Sequence, residues 1–185
     1  MAAVECFRRL LSVRPFTPAC LVLKVNGIDV APDHVREFLA SLGDAKGRIT
    51  VLAETMEENE VFNLIRCCDA FVSLHRSEGY GLAIGEAMFL GLPVIATSYS
   101  GNMDFMTPEN SMHVGYRLVP VPPGAYPHGE GQHWAEPDLD GATEHMTGLL
   151  DNPAAGRTLG RQASQAARTN FSCRAAGLRY ARRLF

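Results

Sequence analysis

The sequence predicts an α/β protein, a parallel sheet flanked by helices. Three observations carry that expectation. Short apolar runs of strand length, LVLKV at 21–25, ITVL at 49–52, AFVSL at 70–74 and PVIA at 93–96, alternate with segments of helical periodicity, the rhythm of βα units. The runs are apolar throughout rather than alternating, as strands buried on both faces are. The chain of 185 residues, 46% hydrophobic and 20% charged, has the balance of an ordinary globular domain and is long enough for a sizeable core.

The elements follow in order. Met1–Val13 carries Val4, Phe7, Leu10 and Leu11 at helical spacing, and Pro15 and Pro18 end that helix. The strand 21–25 leads to a turn at Asn26-Gly27 and a helix over Pro32–Leu42 closed by Gly43. After the strand Ile49–Leu52, Thr55 stands three residues before Glu58, the spacing of a capping box, and the helix runs to about Cys68. The strand Ala70–Leu74 is followed by a helix over Tyr80–Leu90 that stops at Gly91, and by the strand Pro93–Ala96. Residues Ser98–Asn102 form a turn-rich loop before a short helical piece at Met103–Met106, and Ser111–Val114 is a fifth strand. From Tyr116 to Pro137, five prolines and three glycines predict a long irregular loop, of the kind that is usually functional or mobile. Helices over about 138–150, 154–168 and 173 to the end complete the chain.

Charge is divided unevenly along the chain. Residues 1–151 hold ten Lys/Arg against twenty Asp/Glu, a formal −10, whereas residues 152–185 hold seven Arg and no acid. A basic tail suits nucleic acid, anionic lipid or an acidic surface of the same protein; its spread-out arginines fit a solvated or docked helical face. Five cysteines without a CxxC pair (Cys6, Cys20, Cys67, Cys68, Cys173) read as reduced thiols. The N-terminus lacks the order of a secretory leader. No apolar run reaches the ~18 residues a membrane span needs. These features point to a cytoplasmic protein.

The chemistry gathers between Glu78 and Asn102. From Gly79 to Met103 the single formal charge is Glu86, and a carboxylate in such surroundings needs a partner or a ligand. In a parallel α/β sheet, ligands bind beyond the carboxyl ends of the strands. That edge carries Asn26-Gly27, Glu54-Thr55, His75–Gly81 and Thr97–Asn102. Glu78-Gly79-Tyr80-Gly81 and Ser100-Gly101-Asn102-Met103 each precede a helical start, where free amides and the helix dipole favour phosphate and glycine permits close approach. A carboxylate can accept from two neighbouring hydroxyls, so sugars and ribose diols suit Glu78 and Glu86. An acid–base pair of the glycosidase type needs both groups facing one bond, which positions along one helix fit poorly. His128, Glu130 and His133 match no zinc helix motif, so no metal is expected there.

The run EGYGLAIGE, then GLPVIAT, then SGNMDF resembles the Glu-x7-Glu region and following loop of the retaining family-4 glycosyltransferases of GT-B fold. The match covers Val22 to about Asn170, in the expected order, and SLHRSEGYG is similar to a bacterial subgroup that builds lipopolysaccharide O-chains and related surface polysaccharides by mannosyl or rhamnosyl transfer. The resemblance implies the C-terminal, Rossmann-like half of that fold, residues 1–170, with residues 171–185 a basic helix packing back or toward an N-terminal domain. It implies that Glu78 touches donor-sugar hydroxyls, that Glu86 holds the ribose diol, and that the amides of Gly79, Tyr80, Gly81, Gly101 and Asn102 meet sugar and diphosphate. The loop Glu54–Met56, with Thr55, lies where relatives hold the base. The Gly-Gly-x-Pro-Glu pattern of relatives reads Ser100-Gly-Asn-Met-Asp104 here.

The chain begins inside the first helix, so the resemblance further implies that a first strand and its basic loop are missing. Lys24 and Arg76 are then the remaining cations near the site, and Arg76 is the candidate for leaving-group stabilisation beside Glu78. The expected function is donor binding in transfer from a GDP- or UDP-type sugar to a glycan or lipid-linked glycan acceptor, with retention and without a metal or other cofactor. The 185-residue chain is expected to bind nucleotide without transferring sugar. Further expectations are contact with the inner face of a membrane, homodimerisation through an open sheet edge, and no nucleic acid. The alternatives are a nucleotide-sugar epimerase of the same architecture and a non-catalytic α/β interaction module.

Overall fold

The computed structural model describes residues 2–25, 38–40 and 42–184. The expected Asn26-Gly27 turn and most of the Pro32–Leu42 helix lie outside the described residues. In chain order the elements are α1 (Ala2–Val13), β1 (Leu21–Lys24), a 3-10 turn at Gly43–Arg48, β2 (Ile49–Leu52), α2 (Glu58–Arg66), β3 (Phe71–Ser73) and α3 (Leu82–Phe89). They continue as β4 (Val94–Thr97), a 3-10 turn at Gly101–Asp104, β5 (Met112–Val114), β6 (Tyr116–Pro120), β7 (His133–Pro137), α4 (Leu139–Asp151), α5 (Pro153–Phe171) and α6 (Cys173–Leu184).

The five expected strands are present and pair in parallel. β1 lies on β2 with Leu21 opposite Ile49 and Lys24 opposite Leu52. β4 lies between β3 and β5, Val72 facing Ile95 and Ala96 facing His113. Alternation along β4 divides the core. Ile95 packs with Val4, Phe7 and Leu10 of α1 and Met146 of α4, while Val94 and Ala96 pack with Ile84 and Met88 of α3 and Ala163 of α5. All four residues of β4 are buried, which is why its sequence shows no polar alternation. Ion pairs between Arg9 and Asp140 and between Arg14 and Asp151 fasten α1 along α4.

Helix boundaries follow local chemistry. α2 starts two residues later than the Thr55–Glu58 spacing predicts: the Glu57 amide donates to the Glu60 carboxylate at 2.8 Å. The same three-residue spacing is thus satisfied by the next acid pair, with Glu58 and Glu60 in the first turn where the dipole favours them. α3 starts at Leu82 because Gly81 takes φ +90° and cannot be its first helical residue. It ends in a Schellman turn, Gly91 at φ +88° with Leu92 N–H donating to Ala87 O at 3.0 Å. Asp138 caps α4 and Asn152 caps α5, with Pro153 at the first helical position.

The stretch 116–137 corrects the sequence reading. It is not irregular throughout, since β6 and β7 form an antiparallel hairpin with Tyr116 opposite Pro137 and Pro120 opposite His133. The prolines sit at its ends and in the connection 121–132, where a strand tolerates them. The expected irregularity is confined to that connection.

Candidate functional site

The site is built where two glycine turns meet. Gly79 and Gly101 approach so closely that a Cβ on Gly101 would stand 1.8 Å from the Gly79 carbonyl oxygen. Only glycine fits there. The Ser100 hydroxyl donates to the Glu78 carbonyl, a second tie between the turns. Gly81 has Asn102 Cβ, Ile84 Cδ1 and Phe105 Cζ within 3.4 Å of the position its own Cβ would take. The turn after β3 and the turn after β4 therefore form one body of backbone at the carboxyl edge of the parallel sheet, as expected.

Glu78 is half-buried and its Oε1 accepts from the Gly81 amide at 3.1 Å, next to the start of α3. That bond aims the carboxylate along the turn and leaves its second oxygen for another donor. Glu86 is also half-buried, on α3, and has no ion-pair partner among the described residues. Burial first, and the Glu58 carboxylate second, push its pKa up from the ordinary glutamate value. Among the described residues, no Arg or Lys forms an ion pair with Glu86. It lines a cleft of about 400 Å³ together with Phe62, Tyr80, Leu82, Phe89 and Phe171.

Asn102, expected to contribute its amide, is fully buried, and its side chain braces the second turn by donating from Nδ2 to the Thr97 carbonyl at 2.9 Å. Its Oδ1, with Thr97 Oγ1 and Ser98 Oγ, has no hydrogen-bond partner and is shut off from solvent. Three buried oxygens without a hydrogen-bond partner within six residues are costly, each on the order of 1–3 kcal/mol. Sequence reasoning did not single out the side chains of Thr97 and Ser98. Their position at and just after the end of the buried β4 was the available signal.

Ser100 was also missed as a strained residue. It holds φ +78°, ψ −151°, a region that is essentially glycine's. The clue lay in the serine standing where relatives of the resembled pattern have the first of two glycines.

The remaining predicted residues are placed less centrally. Arg76 forms an ion pair with Glu136, Nε to Oε2 at 2.7 Å and Nη2 to Oε1 at 3.0 Å, and stacks 4.6 Å from the Trp134 ring. With Ala135 N–H donating to the Arg76 carbonyl at 2.9 Å, this sews the β6–β7 hairpin to the end of β3. Lys24 sits at the end of β1 and donates to the Val25 carbonyl at 3.2 Å. Thr55 is exposed in the segment between β2 and α2. Tyr80 is part-exposed, its ring 5.3 Å from that of Phe105. His75 Nε2 donates to the Tyr99 carbonyl at 3.0 Å, so Nδ1 accepts from Ser73 Oγ at 3.1 Å and the ring is a spacer between β3 and the second turn. No group of three His, Cys, Asp or Glu among the described residues is arranged to hold a metal ion.

Residues 10–124, more than half of the chain and including both turns, match the family described as glycosyl transferases group 1. The chain belongs to that family. Solved structures of similar fold agree with the assignment. The Anabaena protein HepE, in complex with UDP and glucose, superposes with a TM-score of 0.73 at 17% identity, over 99% of this chain and 43% of that one. Sucrose-phosphate synthase from Thermosynechococcus elongatus superposes at 0.66 and 20% identity, over 97% and 40% respectively. The C-terminal domain of a glycosyl transferase group 1 family protein from Francisella tularensis, LpcC, does so at 0.65 and 16%, over 93% and 78%. This glycosyl transferase group 1 chain thus spans less than half the length of the first two, and its fold is that of the C-terminal domain in GT-B glycosyltransferases.

Proposed function

We propose that this chain binds a nucleotide-diphosphate sugar across the two glycine turns, as the donor half of a retaining, metal-independent glycosyltransferase. Glu78 accepts from hydroxyls of the donor sugar, and Glu86 accepts from the ribose diol. The amides of Gly79, Tyr80, Gly81, Gly101 and Asn102, with the start of α3, meet the diphosphate. The segment Glu54–Met56, with Thr55, faces the base. The observation that carries this reading is the backbone contact of Gly79 with Gly101 beside the aimed Glu78 carboxylate, with Glu86 on α3 unpaired among the described residues. That HepE was solved with UDP and glucose supports a UDP- or GDP-type donor.

Arg76 enters this proposal differently from the sequence expectation. Its charge is met by Glu136 and its face by Trp134, so it braces the hairpin against the site while amides and the helix dipole carry the phosphate charge. The acceptor of the whole enzyme is a glycan of the cell surface, free or lipid-linked, on the cytoplasmic side of the membrane.

Calorimetric titration with UDP, GDP and their glucose and mannose conjugates tests the proposal. One nucleotide series is expected to bind with equal affinity in magnesium and in EDTA. Glu86→Ala is expected to weaken it about 10- to 100-fold, the worth of hydrogen bonds to a charged group. Absence of heat with every nucleotide would favour an interaction module without donor binding. Conversion of a nucleotide-sugar to its epimer would favour the epimerase.

A further inference from the structure

The second glycine turn needs support from outside itself. Ser100 holds φ +78°, ψ −151°, a conformation that persists only where the surroundings impose it. Two side-chain bonds tie this turn to the first. One runs from the Ser100 hydroxyl to the Glu78 carbonyl and is exposed, so water competes for it. The other runs from His75 Nε2 to the carbonyl of Tyr99, the residue before Ser100, at 3.0 Å. It is part-buried, and the lower dielectric there strengthens it.

His75 is itself held in place. Its Nδ1 accepts from Ser73 Oγ at 3.1 Å, which fixes the nitrogen that carries the proton and leaves Nε2–H facing the Tyr99 carbonyl. Ser73 is the last residue of β3 and pairs with Ala96 of β4. A relay therefore runs from the parallel sheet through Ser73 and the imidazole to the backbone that carries Ser100, Gly101 and Asn102.

We propose that His75 is a positioning residue for the donor diphosphate. By fixing the Tyr99 carbonyl it sets the distance from the Gly101 and Asn102 amides to the Gly79–Gly81 amides and the start of α3. The inference rests on the donor reading above and deepens it. A diphosphate that bridges both turns feels that distance, whereas a monophosphate fits a single turn. Displacing one wall of a many-point contact by roughly 1 Å can cost about 100-fold. The imidazole acts here through the backbone of the second turn and not through its charge.

Calorimetric titration of the full chain with UDP against UMP, and with GDP against GMP, tests this role. In the series that binds, His75→Ala is expected to weaken the diphosphate about 10-fold, the worth of a lost hydrogen bond, and to leave the monophosphate unchanged. Glutamine carries an amide N–H about as far out as Nε2, so His75→Gln is expected to restore diphosphate affinity. Asparagine reaches only as far as Nδ1, so His75→Asn is expected to behave as His75→Ala does. Ser73→Ala frees the ring without removing the donor and should fall between parent and His75→Ala. Equal weakening of both nucleotides in step with a lower Tm would make the bond one that holds the fold alone, and would overturn the inference. Unchanged diphosphate affinity in His75→Ala would do the same. Should His75→Ala not fold, the glutamine and asparagine variants decide: equal affinities in the two overturn the proposal. A parent that binds neither nucleotide sinks the donor reading and this role together. A parent that binds both, with variants that lose nothing, sinks this role alone.

Discussion

Two pairs of glycines in this molecule make nearly the same contact in different chemical surroundings. A Cβ on Gly101 would stand 1.8 Å from the Gly79 carbonyl, and one on Gly160 would stand 2.0 Å from the Gly91 carbonyl. At Gly91 and Gly160 the surrounding polar groups are satisfied: Ser164 Oγ donates to the Phe89 carbonyl at 2.9 Å, and Arg168 stacks 4.1 Å from the Phe89 ring. That contact seats α5 on the end of α3. At Gly79 and Gly101 the neighbours are the Glu78 carboxylate, with one oxygen on the Gly81 amide, a strained Ser100 and three buried oxygens without a partner. A missing Cβ shows only that backbones approach; it is the unsatisfied chemistry beside Gly79 and Gly101 that supports the proposal of a binding turn there and not at Gly91 and Gly160.

The largest expected effects come from adding the two methyl groups. Gly101→Ala and Gly160→Ala each force backbone apart, and each is expected to cost about 3 kcal/mol in urea unfolding, the upper range for overpacking. The two should then differ in nucleotide affinity measured on folded protein, lost in Gly101→Ala and kept in Gly160→Ala. Equal loss in both would erase the distinction between the regions.

The next effect is one of pH. Burial and Glu58 raise the Glu86 pKa above 4.5, so in the free protein this group favours folding when protonated, and that contribution is lost as pH rises through the raised value. Glu86→Gln is therefore expected to stabilise the free protein near pH 7. Ligand binding has the opposite sign, since the diol needs the carboxylate. Nucleotide affinity should fall on acidification with a midpoint above 4.5, and Glu86→Gln should flatten that dependence. An unchanged profile in the variant would remove Glu86 from the binding site.

The smallest effect is expected at Ser100. Replacement by glycine relieves ~1–3 kcal/mol of backbone strain and gives up ~1 kcal/mol for the hydroxyl bond to Glu78. Ser100→Gly should thus gain about 1 kcal/mol, with the Tm as readout and binding little changed.

Much of the parallel region was legible in the sequence, because β4 is buried on both faces, its neighbours are at least half-buried, and their apolar runs have no competing pattern. The glycine turns were legible for the same reason that Glu86 was, a polar or flexible residue where the surroundings are apolar. The β6–β7 hairpin was not. Its burial is mostly one-sided on β7 and slight on β6, so no alternation stood out against five prolines. What holds it is Arg76 with Glu136 and Trp134, a contact across 60 positions that no local pattern reports. The capping of α2 was misplaced because a threonine and a glutamate offered the same spacing two residues apart.

The central claim is that the diphosphate lies on the joined turns. Amide chemical shifts of isotopically labelled protein, followed during titration with the nucleotide that binds, test it most directly. Large shifts are expected at Gly79, Gly81, Gly101 and Asn102, with Gly91, Gly156 and Gly160 unmoved. Shifts centred on Gly91 and Gly160, or none at Gly101, would contradict it.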